Sequence, residues 1–123
     1  MIKSTGLDIV EISRIEKNIE SHGDRFIDKI LSTREKELYS KRVDKKQYLA
    51  GRFAAKEAVI KALGVYLKDK PMLPEIEIVN SETGQPELCL AEKYIPQLNN
   101  AVCFISISHE KSVAAAMAIF SEE

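Results

Sequence analysis

The sequence predicts an α+β fold: an N-terminal strand, helices including one long central helix, then antiparallel hairpins forming a sheet packed on that helix. Three observations carry this. Helix-period apolar patterning with start and stop signals fills the chain from Ser13 to Gly64. Strand-like alternation begins only after Pro71 and Pro74, in Glu75-Ile76-Glu77-Ile78-Val79. Two apolar runs, Val102 to Ser108 and Val113 to Phe120, flank His109-Glu110-Lys111-Ser112, the spacing of a hairpin.

Taken in order, Ser4 to Val10 reads as a short strand in which Gly6 permits close approach of another backbone. Ser13, with Glu16 three residues later, has the form of a capping box that opens a helix, and Gly23 is placed to stop it. A second short helix covers Asp24 to Leu31, and Ser32 with Glu35 opens a third that ends near Arg42. Asp44 is placed to cap a longer helix through Leu63, with Gly64 as its stop. Ser81 to Pro86 forms a turn, from which Glu87 to Leu90 returns as the partner of the first alternating strand. Ala91 to Asn100 is compatible with a helical turn broken at Pro96.

At 123 residues the chain supports one domain, 1–123, and its 45% hydrophobic and 30% charged content is that of an ordinary globular protein. A formal net charge of −1 excludes a general nucleic-acid binder, which needs a clear positive excess. No stretch approaches the ~20 apolar residues of a membrane span, and Met1 to Val10, with Lys3 and Asp8, does not read as a signal peptide. Cys89 and Cys103 lie in apolar runs without metal or redox spacing, which predicts buried small hydrophobes in a reducing compartment and a cytoplasmic location.

Charge is unevenly distributed. Between Lys41 and Lys61 there are seven basic and two acidic residues, whereas Pro74 to Glu92 holds five glutamates and no basic residue. This segregation fits an anionic ligand near the first segment, and equally a solvated helix face. On a helical wheel, Leu49, Phe53, Ile60 and Leu63 form a large apolar stripe. Gly51, Ala54, Ala55, Ala58 and Ala62 make the other side small, and Ala50 and Ala54 leave space for something to approach. Arg52 and Lys56 fall on one flank of the stripe, Glu57 and Lys61 on the other. Glu57 and Lys61 are at i,i+4, the spacing of a common surface pair worth ~0.2–0.5 kcal/mol. Alternatively, Asp8 and Glu57 supply the two carboxylates that Mg²⁺ takes together with water and substrate phosphates.

Three segments resemble the motifs of the holo-acyl-carrier-protein synthases, a family of 4′-phosphopantetheinyl transferases. They are Gly6-Leu7-Asp8-Ile9-Val10-Glu11-Ile12 with Arg14 after it, Leu49 to Ala58 continuing to Lys61-Ala62-Leu63-Gly64, and Ile105-Ser106-Ile107-Ser108-His109. The resemblance implies Mg²⁺-dependent transfer of 4′-phosphopantetheine from coenzyme A to a serine of apo acyl carrier protein. The product released is adenosine 3′,5′-bisphosphate, and the pathway served is fatty acid biosynthesis. It further implies Asp8 and Glu57 as metal ligands and Lys61 as the pyrophosphate contact, with Asp8, Glu57 and Lys61 the catalytic set. Arg52, Lys61, Gly64 and His109 are implied on the coenzyme A side. The acidic carrier protein is expected to dock near Arg14 and Arg25, and a homotrimer with active sites shared between neighbours is expected from the family. On the residues alone, His109 also reads as a hairpin-turn residue. Arg14, Lys17, Arg25 and Lys29, interleaved with Glu16, Glu20, Asp24 and Asp28, also read as a mixed solvated face. Two departures stand out: Val65 to Lys70 replaces the family's small residues, and Gly84-Gln85-Pro86 replaces its Gly-Lys-Pro. A non-catalytic binding module is the competing class, and no GxxxxGK[ST] loop supports another phosphotransferase.

Overall fold

The computed structural model describes all 123 residues. Strand β1 (Ile2–Glu11) leads into helices α1 (Ile12–His22), α2 (Asp24–Ile30), α3 (Thr33–Ser40) and α4 (Lys45–Leu63). After a 3₁₀ turn (Leu73–Glu75) come β2 (Ile76–Asn80), β3 (Pro86–Leu90), a 3₁₀ segment (Glu92–Leu98), β4 (Val102–His109) and β5 (Val113–Ser121). The expected α+β architecture is present, but the strands form two sheets. β1 pairs with β5 and β5 with β4, all antiparallel, while β2 and β3 form a separate hairpin. The Gln85 side-chain amide ties that hairpin to β4 by donating to the Ile105 carbonyl at 2.9 Å.

Helix α4 fills the centre, and its small residues explain how. Ala50, Ala54, Ala55, Ala58 and Ala62 are all fully buried, so the space beside Ala50 and Ala54 is taken by the protein itself. Gly6 is the tightest point of that packing. A Cβ there would lie 1.9 Å from the Ala58 carbonyl oxygen and 3.0 Å from the Ala62 nitrogen. Ser4, on the same face of β1, donates from Oγ to the Ala62 carbonyl at 2.7 Å. Because side chains alternate along a strand, residues 4, 6, 8 and 10 turn toward α4, while Thr5, Leu7, Ile9 and Glu11 stay exposed.

The helix ends follow the expected positions with different chemistry. The Ser13–Glu16 box does not form: α1 begins two residues earlier, straight from β1 with Glu11 as its N-cap, and its Ile12 N–H is satisfied by the Ser112 carbonyl at 2.9 Å. The Asp44 carboxylate does not cap α4, because Arg42 holds both of its oxygens at 2.8 Å. Gly64 ends α4 in a right-handed conformation (φ −56°), so it uses none of the freedom peculiar to glycine, whereas Gly23 does (φ 53°).

The Ser32–Glu35 box does form, and Glu35 goes on to do more. Fully buried, it accepts from the Ile78 N–H at 2.8 Å and meets the Lys56 ammonium, which also donates to the Ile30 and Leu73 carbonyls. Burial lowers the Lys56 pKa and Glu35 opposes that shift. One ion pair thereby fastens α4 to α2, α3 and β2. Of the cysteines, Cys89 is exposed rather than buried, and Cys103 is partly buried.

Candidate active site in two clefts on the central helix

The close approach of β1 to α4 brings three sequence-predicted residues together. Asp8 lies two positions beyond Gly6 on the inward face of β1, and Lys61 donates to its Oδ1 at 3.2 Å and to the Leu7 carbonyl at 2.8 Å. Asp8 and Glu57 line one cleft of about 330 Å³ together with Arg14, Phe26 and Phe53. Glu57 is half-buried and joins no ion pair, so the i,i+4 surface pair with Lys61 does not form; Lys61 turns to Asp8 instead. The reason is distance along the fold: Gly6 sets β1 so close to α4 that the Asp8 carboxylate is within reach of the lysine.

The donor set of this cleft suits Mg²⁺. Two carboxylates from separate elements face it, and no group of three or more His, Cys, Asp or Glu side chains converges anywhere in the chain. Two protein carboxylates, with water and phosphate oxygens completing an octahedron, is the way Mg²⁺ is commonly held, rather than in an all-protein cage. Phe26 and Phe53 are among its lining residues, and apolar surface of this kind beside charged groups strengthens electrostatic interactions.

Arg52 and His109 lie elsewhere. They line a second cleft of about 320 Å³ with Arg42, Tyr48, Asn80 and Gln85, and it shares no residue with the first. Arg52 and Glu57 are five positions apart, roughly 140° around the helix at ~100° per residue, so the two clefts open on different sides of α4. Arg52 donates from Nη2 to Asn80 Oδ1 at 3.0 Å. Asp44 lies here too, its pKa lowered first by the Arg42 hydrogen bonds and also by His109. Gln85 turns its amide to β4, so it does not replace a free lysine. Gly64 lines neither cleft.

Sequence reasoning missed Arg42, Tyr48 and Asn80 as cleft residues. Arg42 was visible as part of the basic run, and Tyr48 stands one helical turn before Arg52; nothing in the sequence points to Asn80. On α1 and α2, Glu16 is paired with Lys46 and Asp28 with Lys36, while Arg14, Lys17, Arg25 and Lys29 form no ion pair. Two of the four interleaved acids are thus drawn to other elements, while Glu20 and Asp24 stay exposed beside the basic residues.

Comparison with known proteins agrees with the fold and motifs. The family profile of the 4′-phosphopantetheinyl transferase superfamily matches residues 4–118. A holo-acyl-carrier-protein synthase of Geobacter sp. (strain M21) is 42% identical over 122 residues, covering 97% of this chain and 98% of the relative. The crystal structure of the Neisseria meningitidis synthase superposes with a TM-score of 0.90 at 29% identity, covering 99% of this chain and 100% of that one. The Helicobacter pylori synthase in complex with coenzyme A superposes with a TM-score of 0.83 at 34% identity, covering 95% and 99%. The chain therefore belongs to the 4′-phosphopantetheinyl transferase superfamily, among its holo-acyl-carrier-protein synthases.

Proposed function

We propose that the protein transfers 4′-phosphopantetheine from coenzyme A to a serine of apo acyl carrier protein, with Mg²⁺ as cofactor, releasing adenosine 3′,5′-bisphosphate. The observation that carries this reading is that Asp8 and Glu57 line one cleft while Lys61 reaches Asp8 from its edge at 3.2 Å. Asp8 and Glu57 would hold the ion, and Mg²⁺, when bound, polarises the pyrophosphate and offsets its charge. Lys61, 54% exposed and tethered only to Asp8 and a carbonyl, is free to swing to the pyrophosphate. There its ammonium stabilises charge building on the leaving group. The serine Oγ–P bond forms as the bridging P–O bond breaks, and the bridging oxygen departs with the adenosine bisphosphate. Glu57, which joins no ion pair within the protein, would also take the proton from the serine hydroxyl, directly or through a water. Such transfer needs positioning and charge neutralisation more than covalent help from the protein.

The reading also assigns Arg52 and His109 to the nucleotide's 3′-phosphate. Since they line a different cleft from Asp8 and Glu57, we take each active site to be shared between neighbouring chains of a homotrimer. Support comes from the outer face of the β1–β5–β4 sheet, where Leu7, Ile9, Phe104, Val102 and Met117 are 42–68% exposed. Leu7 lies directly opposite Met117 in the ladder, so the residues form one patch. A continuous apolar patch of this kind marks an interface. Sedimentation should return three times the 13.8 kDa chain mass. Unpaired Arg14 and Arg25 support docking of the acidic carrier protein, and reversing both to glutamate should raise its KM and weaken the salt dependence. The reading places the protein in the cytoplasm, serving fatty acid biosynthesis; no helix is long and apolar enough to cross a membrane.

The test is direct: incubate the protein with coenzyme A, Mg²⁺ and apo carrier protein, and weigh the carrier. A mass gain that disappears with chelator or with Asp8→Ala supports the transferase. No gain with several carriers would leave a non-catalytic binding module. Glu57→Gln at saturating Mg²⁺ isolates the proton transfer: turnover near wild type would remove the base role.

A further inference from the structure

The second cleft contains a stacking arrangement that the proposed chemistry does not use. Both of its arginines lie over one ring, with Arg42 Cζ 4.8 Å and Arg52 Cζ 4.7 Å from the Tyr48 centroid. Tyr48 and Arg52 are one turn apart on α4, the i,i+4 spacing that brings side chains into contact. Arg42 arrives from the connection between α3 and α4. Tyr48 is 9% exposed and Arg52 7%, so their contact is largely shielded from water and belongs to the stronger kind, whereas the Arg42 side chain is 43% exposed and its contact is the weaker of the two.

Each guanidinium is also held from its far side. Asp44 takes Arg42 Nε and Nη2, and Asn80 accepts from Arg52 Nη2. Neither arginine exhausts its five donors. Arg52 Nε is buried with no partner, as is the Tyr48 hydroxyl, both beside the cleft. Asp44 neutralises one of the two positive charges and no acid in the cleft neutralises the other. The result is two oriented guanidiniums with spare donors and an uncompensated positive charge. That chemistry suits a phosphate monoester, which offers about two negative charges and three acceptor oxygens.

We propose that Tyr48 is a positioning residue that fixes Arg42 and Arg52 as a pair, so that the cleft selects a nucleotide bearing a terminal phosphate monoester. The proposal rests on the transferase reading, which brings the nucleotide end of coenzyme A to this cleft. Tyr48 acts through its ring, so phenylalanine serves in its place. Leucine does not, because it offers no π face to either cation.

The test compares coenzyme A with 3′-dephospho-coenzyme A, which keeps the pyrophosphate and lacks the monoester. Calorimetric binding with Mg²⁺ present should show wild type and Tyr48→Phe preferring coenzyme A by about tenfold or more, the effect of one charge-assisted hydrogen bond to the monoester. Tyr48→Leu should lose that preference while keeping its affinity for the dephospho ligand. In turnover, Tyr48→Leu should raise KM for coenzyme A at unchanged kcat. Should Tyr48→Leu not fold, Arg42→Gln at an exposed residue should show the same loss of preference. Retained preference in these variants, or equal loss for both ligands, overturns the proposal. Equal binding of the two ligands by wild type overturns it too and leaves the transferase reading standing. Failure of wild type to bind either ligand removes the transferase reading itself.

Discussion

Replacing Gly6 by alanine adds one methyl group and tests how the fold builds the site. The new Cβ would lie 1.9 Å from the Ala58 carbonyl oxygen, where ordinary contact begins near 3.4 Å, a deficit of about 1.5 Å. The atoms it meets are backbone atoms of α4 at Ala58 and Ala62, which cannot rotate aside as a side chain would. The helix itself is fixed by the fully buried Lys56–Glu35 pair and the alanine-rich core, so β1 has to move. Overpacking of this kind costs about 1–3 kcal/mol, and strain on the 2.7 Å Ser4–Ala62 hydrogen bond adds up to about 1 kcal/mol. The opposing gain from a less flexible unfolded chain is only about 0.4–1 kcal/mol, so net destabilisation of roughly 1–3 kcal/mol is expected. Asp8 moves with its strand, and a displacement of about 1 Å at a reacting geometry can reduce rate ~100-fold. Urea denaturation and the rate of mass gain on carrier protein measure the two effects, with Lys68→Ala, at an exposed loop position, as the control. Stability within about 0.5 kcal/mol of wild type, together with an unchanged rate, would refute both the packing account and its link to Asp8.

Three further outcomes follow from single features. Lys56→Met leaves the Glu35 carboxylate buried without its cation and should lower stability by about 3–5 kcal/mol in urea titrations; a loss below about 1 kcal/mol would show that Glu35 is neutral or hydrated. Glu75 is held at a pKa of about 2, first by the Lys93 hydrogen bond, then by the Met72 N–H and Tyr94 hydroxyl. That stabilisation is present above the ordinary value of 4.5 and lost as pH falls toward 2. Glu75→Gln should therefore lower the urea midpoint at pH 7 and flatten its fall in acid, and an unchanged acid profile would exclude Glu75 as a contributor. Burial pushes the Cys103 thiol up to about 12, whereas Cys89 is exposed. A thiol reagent at pH 8 should modify Cys89 quickly and Cys103 only after unfolding; two fast thiols would contradict the burial of Cys103.

The order and type of the elements were legible because they depend on local signals: alternation in Ile76 to Val79, the Ser32–Glu35 box, and the stop at Gly23. The caps that failed, at Ser13 and Asp44, did so where a distant or neighbouring group supplied the partner first. A capping pattern records what a side chain can do, not what competes for it. Pairing of β1 with β5 joins opposite ends of the chain, and no local pattern encodes it. The same holds for the site. The wheel separated Arg52 and Lys56 from Glu57 and Lys61 correctly. It could not show that Lys56 runs inward to Glu35 while Arg52 runs to Asn80. Nor could composition separate the two cysteines, since both lie in apolar runs and Cys89 is exposed because it alternates onto the same outward face of β3 as Glu87.

Packing and chemistry on α4 are two consequences of one constraint. A helix surrounded by its own chain must be small where strands press on it, and Ala50, Ala54, Ala55, Ala58 and Ala62 meet that demand. Apart from Lys56, which is buried against Glu35, the charged side chains of its middle and end then stand at the margins between packed elements. Those margins are where β1 passes Glu57 and Lys61, and where the β2–β3 hairpin passes Arg52. Larger residues in place of the alanines would push β1 outward and take Asp8 away from Lys61. Larger residues in place of Gly51 would press on Ile107, whose Cγ2 already lies 3.1 Å from a Cβ built there, and open the cleft at Arg52. The small residues of the central motif thus set the distances at which its charged residues meet their partners.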